Sequence, residues 1–240
     1  MSAMSVLVAC EFSGVVRDAF NAVGCDAWSC DLLPSEGRAG NHLVGDVRWA
    51  LEGRLDKYPQ AYDVRNGRQA VYRKWDLLIA HPPCTFLANS GVRWLYLDGR
   101  KENGIDQARE WDMEAACDFY LTLWQSEAAN AIPRIAIENP IMHCFARDYM
   151  NKCGPLPEPQ YIQPWMFGHT EVKATGLRLK NLPRLVETSN VKAQMAGMAR
   201  KETDRVHYAS PGADRWKERS RTLPGIAAAM ASQWGNWQSP

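Results

Sequence analysis

The 240-residue sequence lacks most of the signatures that usually disclose a function. It has no Cys-x-x-Cys pair, no complete Gly-x-Gly-x-x-Gly, no internal repeat and no charge imbalance. Each absence removes a class. The seven cysteines, at 10, 25, 30, 84, 117, 144 and 153, are odd in number and irregularly spaced. A structural zinc site wants paired short spacings, so no metal is expected, and most of these thiols read as small buried hydrophobes. No apolar run approaches the roughly 20 residues that span a bilayer, and residues 1–5, MSAMS, show no basic region ahead of an apolar stretch. No membrane partner is expected, and a cytoplasmic location is the default. The net charge is +1. A dedicated duplex binder is often more basic, so any nucleic-acid surface must be local.

What remains is the composition of a globular chain, 46% hydrophobic and 23% charged, long enough for one sizeable core. Residues 4–10 read as a buried strand. Residues 15–23 carry apolar residues at helical spacing, with Gly24 as the stop, and residues 25–30 read as a second strand closing at Asp31. A strand, a helix and a strand within 28 residues (4 to 31) predict a parallel α/β sheet. A short third element ends near Asp46, and residues 50–74 read as a surface excursion. Further buried strands are expected at 76–80 and 134–137, and another at 172–179. Residues 106–129 predict a long helix with Trp111, Ala115, Ala116, Phe119, Tyr120, Leu123 and Trp124 on its apolar face. Residues 151–165 carry four prolines and predict no element. A final helix spans 224–234, with Pro224 at its start.

Three predicted strands end in unusual residues: Cys10-Glu11, His81-Pro82-Pro83-Cys84 and Glu138-Asn139-Pro140. Ligands of a parallel α/β sheet bind beyond the carboxyl ends of its strands, so Cys84 and Glu138 can face one crevice. Cys84 is then a positioned nucleophile, or else an incidental thiol in a rigid turn; Glu138 is a functional acid, or else an ordinary capping one. Gly14 lets a ligand approach the backbone of the first turn. Asp31 is well placed for a ribose's hydroxyls, although turn acids are common. Without the full glycine fingerprint a dinucleotide is disfavoured, and a nucleoside-like cofactor such as S-adenosyl-L-methionine fits better.

The ordered set "VACEFSGVVRDAF", "VGDV", "HPPC", "IENP" and "TLPGIAAAMASQW" resembles the motifs of the DNA (cytosine-5) methyltransferase family, in a compact form of the kind phages carry. The likeness covers most of the chain. It implies a Rossmann-like S-adenosylmethionine-dependent methyltransferase fold and a location in a phage host's or bacterial cytosol. By the resemblance, Cys84 adds to carbon 6 of a flipped cytosine in DNA, Pro83 fixes the backbone before it, Glu138 assists at N3, and Asn139 holds the strand-end turn through hydrogen bonds to the backbone. The cofactor would lie against Glu11, Phe12, Ser13, Gly14, Asp31, Asp46, Pro82 and Ile226. The resemblance implies a catalytic domain of 1–180 with 222–240, and a reduced target-recognition region over 181–221, which a protein partner could supplement. The loop after Cys84, roughly 85–104 with Arg93, Trp94 and Tyr96, would close over the base.

One strand departs from the family. Its Gln-x-Arg-x-Arg positions are Glu171, Lys173 and Thr175 here, so Lys173 would take the arginine's place beside the base, with Thr175, Arg93, Arg219 and Arg221 as further substrate contacts. Arg205, His207, Arg215, Lys217, Arg219 and Arg221 read either as a phosphate-contacting patch or as a solvated charged face. Three rivals stay open. One is a cytosine modification with a nonstandard donor. Another is an exocyclic-amine methyltransferase, disfavoured because His81 and Cys84 stand where that chemistry wants a carbonyl-bearing Asp or Asn and an aromatic ring. The third is a catalytically silent DNA- or nucleotide-binding protein.

Overall fold

Leu77-Leu78-Ile79-Ala80 is fully buried on both faces, a pattern that suits a strand covered on both sides. That strand lies at the centre of a seven-stranded sheet in the computed structural model, which describes residues 3–37, 40–58, 62–63, 68–69, 72–208, 212 and 215–236. In chain order the strands are β1 (Ser5–Ala9), β2 (Asp26–Asp31), β3 (His42–Val44), β4 (Leu77–Ala80), β5 (Ile135–Pro140), β6 (Gln160–Ile162) and β7 (Thr175–Lys180). Across the sheet they run β3-β2-β1-β4-β5-β7-β6. The first five are parallel, while β7 pairs antiparallel with both β5 and β6. The Rossmann-like α/β fold expected from the sequence, a mostly parallel sheet with helices on both faces, is the fold the chain has.

The helices are α1 (Val15–Ala22), α2 (Val47–Leu51), α3 (Gln107–Gln125), α4 (Glu127–Asn130), α5 (Cys144–Lys152), α6 (Arg200–Thr203), α7 (Arg205–Tyr208), α8 (Arg215–Ser220) and α9 (Pro224–Trp234). Two apolar clusters cover the sheet. Residues from α2, α3 and α5 pack on one face, against Leu7, Leu78 and Ile137. On the other, α1 and α9 pack against Val8, Ile79 and Ala136. Strand alternation divides the site residues between these faces.

Three sequence expectations need correction. The buried face of α3 is Met113, Cys117, Tyr120, Leu121 and Leu123, with Ala116, Phe119 and Trp124 packed partly buried against the same core, so of the expected face Trp111 and Ala115 fall outside. Trp111 is 63% exposed, and reading the helix from its aromatics passed over Met113 and Cys117, which are buried. Strand β6 sits among the prolines, where a three-residue edge element leaves no periodicity to read. The stretch at 50–74 is more than a surface excursion: Leu51, Leu55 and Tyr58 are buried in the core beside Trp75. Residues 59–61, 64–67 and 70–71 of that stretch lie outside the described residues.

Helix α9 is set by a close approach. His169 Nε2 accepts from Gly225 N at 2.9 Å, and a Cβ on Gly225 would overlap the Phe167 carbonyl. Gly225→Ala should therefore destabilise the protein by roughly 1–3 kcal/mol, the usual cost of overpacking, read from the midpoint of urea unfolding. An unchanged midpoint would refute the contact.

Candidate functional site

Beyond β4, Pro82 is buried, Pro83 is exposed and Cys84 is half-buried. The Cys84 carbonyl accepts from Leu87 N at 3.0 Å and Ala88 N at 2.9 Å, so the cysteine opens a hydrogen-bonded turn. His81 and Glu138, at the ends of adjacent parallel strands, meet: His81 Nδ1 donates to Glu138 Oε2 at 3.0 Å. This pairing escaped the sequence reading, which gave His81 no chemistry. The available signal was positional, because β4 and β5 are neighbours and both side chains project toward the α1/α9 face.

Electrostatics oppose one another here. Burial alone would raise the Glu138 carboxyl; the hydrogen bond from His81 and the positive charge of Lys173 outweigh it and hold the carboxyl below its usual range. Cys84 goes the other way. Burial, then the Glu138 charge, push its thiol up, while Lys173 and Arg219 pull it part of the way back. At neutral pH the resting pair is a thiol beside a carboxylate. Peptide-resolved alkylation should find Cys84 slower than the exposed Cys144 and Cys153 at neutral pH and still gaining rate above about pH 9. A plateau on the acid side of neutrality would contradict the assignment.

Lys173 thus reaches the site. Its Nζ donates to the Arg219 carbonyl at 2.9 Å, tying the segment before β7 to the end of α8. Thr175 is buried, and its Oγ1 donates to the Lys173 carbonyl at 3.1 Å. Glu171 is buried and pairs with Arg205. Arg221 pairs with Glu36 at 2.5 Å, so two members of the basic patch are held in ion pairs; the side chain of His207 lies outside the described part. Asn139 does not hold the strand-end turn: its amide oxygen and nitrogen are buried with no hydrogen-bond partner among the described residues. Alternation along β5 puts it on the sheet face opposite Glu138.

A second group of predicted residues gathers at the ends of β1, β2 and β3. Cys10 leaves β1 in the left-handed region, φ 58°, uncommon for a residue with a side chain. Glu11 is buried and accepts from Val16 N at 2.7 Å, Arg17 N at 3.2 Å and Ser13 Oγ at 3.2 Å. The N-terminal amides of α1 are therefore capped by the chain's own carboxylate. Gly14 takes φ 76°, and a Cβ there would stand 2.5 Å from Arg17 Nη2. Arg17 itself is buried, bonding Asp18, Ser29 and Ser35. Asp31 is half-buried and accepts from Leu33 N at 2.9 Å; burial pushes its carboxyl up. Asp46 caps α2 by accepting from Arg48 N and pairs with the Arg48 guanidinium, each at 2.9 Å. Ile226 lies in the apolar cluster with Val16 and Phe20.

Of these, Cys10, Glu11, Phe12 and Ser13 line a crevice of about 30 Å³ together with His81 and residues 220–222; Gly14, Asp31, Asp46 and Ile226 do not line it. Trp216 of α8 packs on one of its walls, its ring 5.8 Å from that of Phe12. The segment 181–221 begins against the core, where Gln160 bonds both the carbonyl and the amide of Leu185, and ends across this crevice. The loop after Cys84 carries three short 3₁₀ turns, Asn89–Leu95, Leu97–Gly99 and Lys101–Asn103. His143 anchors it: Nε2 donates to the Phe86 carbonyl at 2.8 Å, while Nδ1 accepts from Ala146 N and caps α5. Arg93 and Trp94 are exposed, with the guanidinium 4.3 Å from the ring. Among the described residues no cluster of His, Cys, Asp and Glu is placed to hold a metal ion, and no helix is long and apolar enough to cross a membrane.

No protein-family model and no curated protein matches the chain. Among solved structures, it is similar to a protein described as a DNA modification methyltransferase encoded within an E. coli prophage, with 14% identity, 82% of this chain and 56% of that one covered, and a TM-score of 0.43. It is also similar to the Entamoeba histolytica methyltransferase EhMeth, with 10% identity, 79% and 58% covered, and a TM-score of 0.39. The chain spans less than six tenths of the length of either.

Proposed function

We propose that the protein transfers a methyl group from S-adenosylmethionine to carbon 5 of a cytosine in DNA, through a covalent adduct of Cys84. The observation that carries this reading is the Cys84 thiol beside an ionised, His81-bonded Glu138 at adjacent strand ends. The fit of the donor follows from the first turn. Glu11 occupies the α1 amides that a pyrophosphate would need, whereas Phe12 and the Asp31 carboxyl suit an uncharged nucleoside. When bound there, the donor supplies an electrophilic methyl group.

The chain's own groups do the rest. As the Cys84 sulfur bonds to carbon 6, its proton passes to Glu138 and on to N3 of the ring. The displaced electron pair makes carbon 5 enamine-like and nucleophilic. After the methyl group arrives, loss of the carbon 5 proton to a base restores the double bond and expels Cys84, and the N3 proton returns to the sulfur by way of Glu138. His81 keeps Glu138 aimed and ionised. Lys173 stands in for the family's arginine beside the base and offsets negative charge on the ring. A base within a duplex must leave its stack to reach Cys84; the 85–104 loop, with Arg93 and Trp94, would close over it. The region 181–221, ending in Arg219 and Arg221, would contact the flanking DNA.

The test is transfer of label from S-adenosylmethionine to DNA, followed by nucleoside analysis. Label in 5-methylcytosine is expected. Label on an exocyclic amine would replace this reading by the amine rival. Adduct formation with no transfer from this donor would point to a nonstandard one.

A further inference from the structure

The sheet face opposite Glu138 carries polar groups that the proposed reaction does not use. Ile137 pairs with Arg178 and Asn139 with Gly176 across β5 and β7, so Arg178 and Asn139 project together toward the α3/α5 layer. Arg178 is 7% exposed and Asn139 4%. Arg178 Nε and Nη1, and both polar atoms of the Asn139 amide, are buried with no hydrogen-bond partner among the described residues. The Tyr120 ring lies 5.8 Å from the guanidinium and supports it. No described carboxylate stands at ion-pair distance from it. A buried cation without a counter-charge is costly, and four unsatisfied polar atoms side by side call for a physical cause.

Both side chains line a cleft of about 110 Å³. Arg147, Asp148 and Glu158 line it too; all three are exposed and leave the rim of mixed charge. The buried end is therefore cationic and rich in donors, while the open end favours neither sign. The space suits a small anion and not a nucleotide, and Arg178 is too deeply covered for the phosphates of a duplex.

We infer that this cleft is a second binding site, separate from the cysteine site, that takes the oxyanion end of a small ligand, a carboxylate or a phosphoryl group. Arg178 supplies the charge-assisted donors, and the Asn139 amide adds one more. The inference does not depend on the methyl-transfer reading, because it rests on a different face of the sheet.

The test uses the full chain and needs no activity. The side-chain Nε–H resonance of Arg178, assigned by its loss in Arg178→Lys, is followed while inorganic phosphate or, separately, malonate is added at constant ionic strength, with sodium chloride as control. One of the two anions should move it saturably and raise the melting temperature in step. The apparent affinity should fall at least tenfold in Arg178→Lys, and the melting shift should vanish in Arg178→Met. Saturation by phosphate alone identifies a phosphoryl ligand; saturation by malonate alone, a carboxylate. A linear response equal to that of chloride, for both anions, overturns the proposal. If Arg178→Met does not fold, the wild-type titration decides by itself.

Discussion

Cys84→Ala should form no covalent complex with DNA containing 5-fluorocytosine, whereas the wild-type protein should form a stable one when S-adenosylmethionine is present. The chemistry makes the difference complete. Fluorine on carbon 5 cannot leave as a proton, so an adduct that has accepted its methyl group cannot eliminate the sulfur and stays bound. Without the sulfur at residue 84 there is no adduct to trap. Denaturing electrophoresis reads the result directly. A persistent adduct in the variant would move the nucleophile elsewhere, and Cys10, the thiol lining the neighbouring crevice, would be the first place to look.

Glu138→Gln should slow methyl transfer by about 10²–10⁴-fold, the range of a lost general acid–base group, while leaving S-adenosylmethionine binding nearly intact. An amide can neither take the thiol proton nor hand one to N3. The same substitution should speed alkylation of Cys84 at neutral pH. Removing the carboxylate removes a charge that raises the thiol, and Lys173 and Arg219 then work against burial alone. Opposite signs in two assays on one variant are hard to obtain from misfolding, which would expose every thiol and abolish cofactor binding together. Equal transfer activity in the variant would refute the N3 role.

The depressed Glu138 also sets a stability window. Its folded-state pKa lies below the ordinary value, so the stability it contributes is present above the carboxylate range and is lost as pH falls through the folded value.

Much of this architecture was legible because buried parallel strands announce themselves. Leu77–Ala80 and the apolar start of β5 have no polar alternation, and the residues that follow them must stand at the ligand-binding edge. That logic brought Cys84 and Glu138 together from sequence alone. It could not find the His81 contact, because a histidine next to two prolines reads as a strand stop until its neighbour across the ladder is known. It read the face of α3 from its large aromatic residues, and so included the exposed Trp111 and passed over the buried Met113 and Cys117. It also had no means of seeing that residues 215–222 return to the first turn, a contact made through Trp216 and Arg221 across nearly the whole chain length. Asn139 is the instructive failure: a position next to a functional residue on a strand is a position on the other side of the sheet.

That alternation governs how the gene can change length. Glu138 and Asn139 belong to opposite compartments only because β5 is held in register by β4 on one side and β7 on the other. One codon inserted or deleted within 135–138 would exchange the two, turning an amide toward Cys84 and burying a carboxylate beside Arg178. The segment joining β5 to β6, and the one running from β7 to α8, carry no such parity. Length variation among descendants of this sequence should accumulate in those connections, and β5 should keep its count.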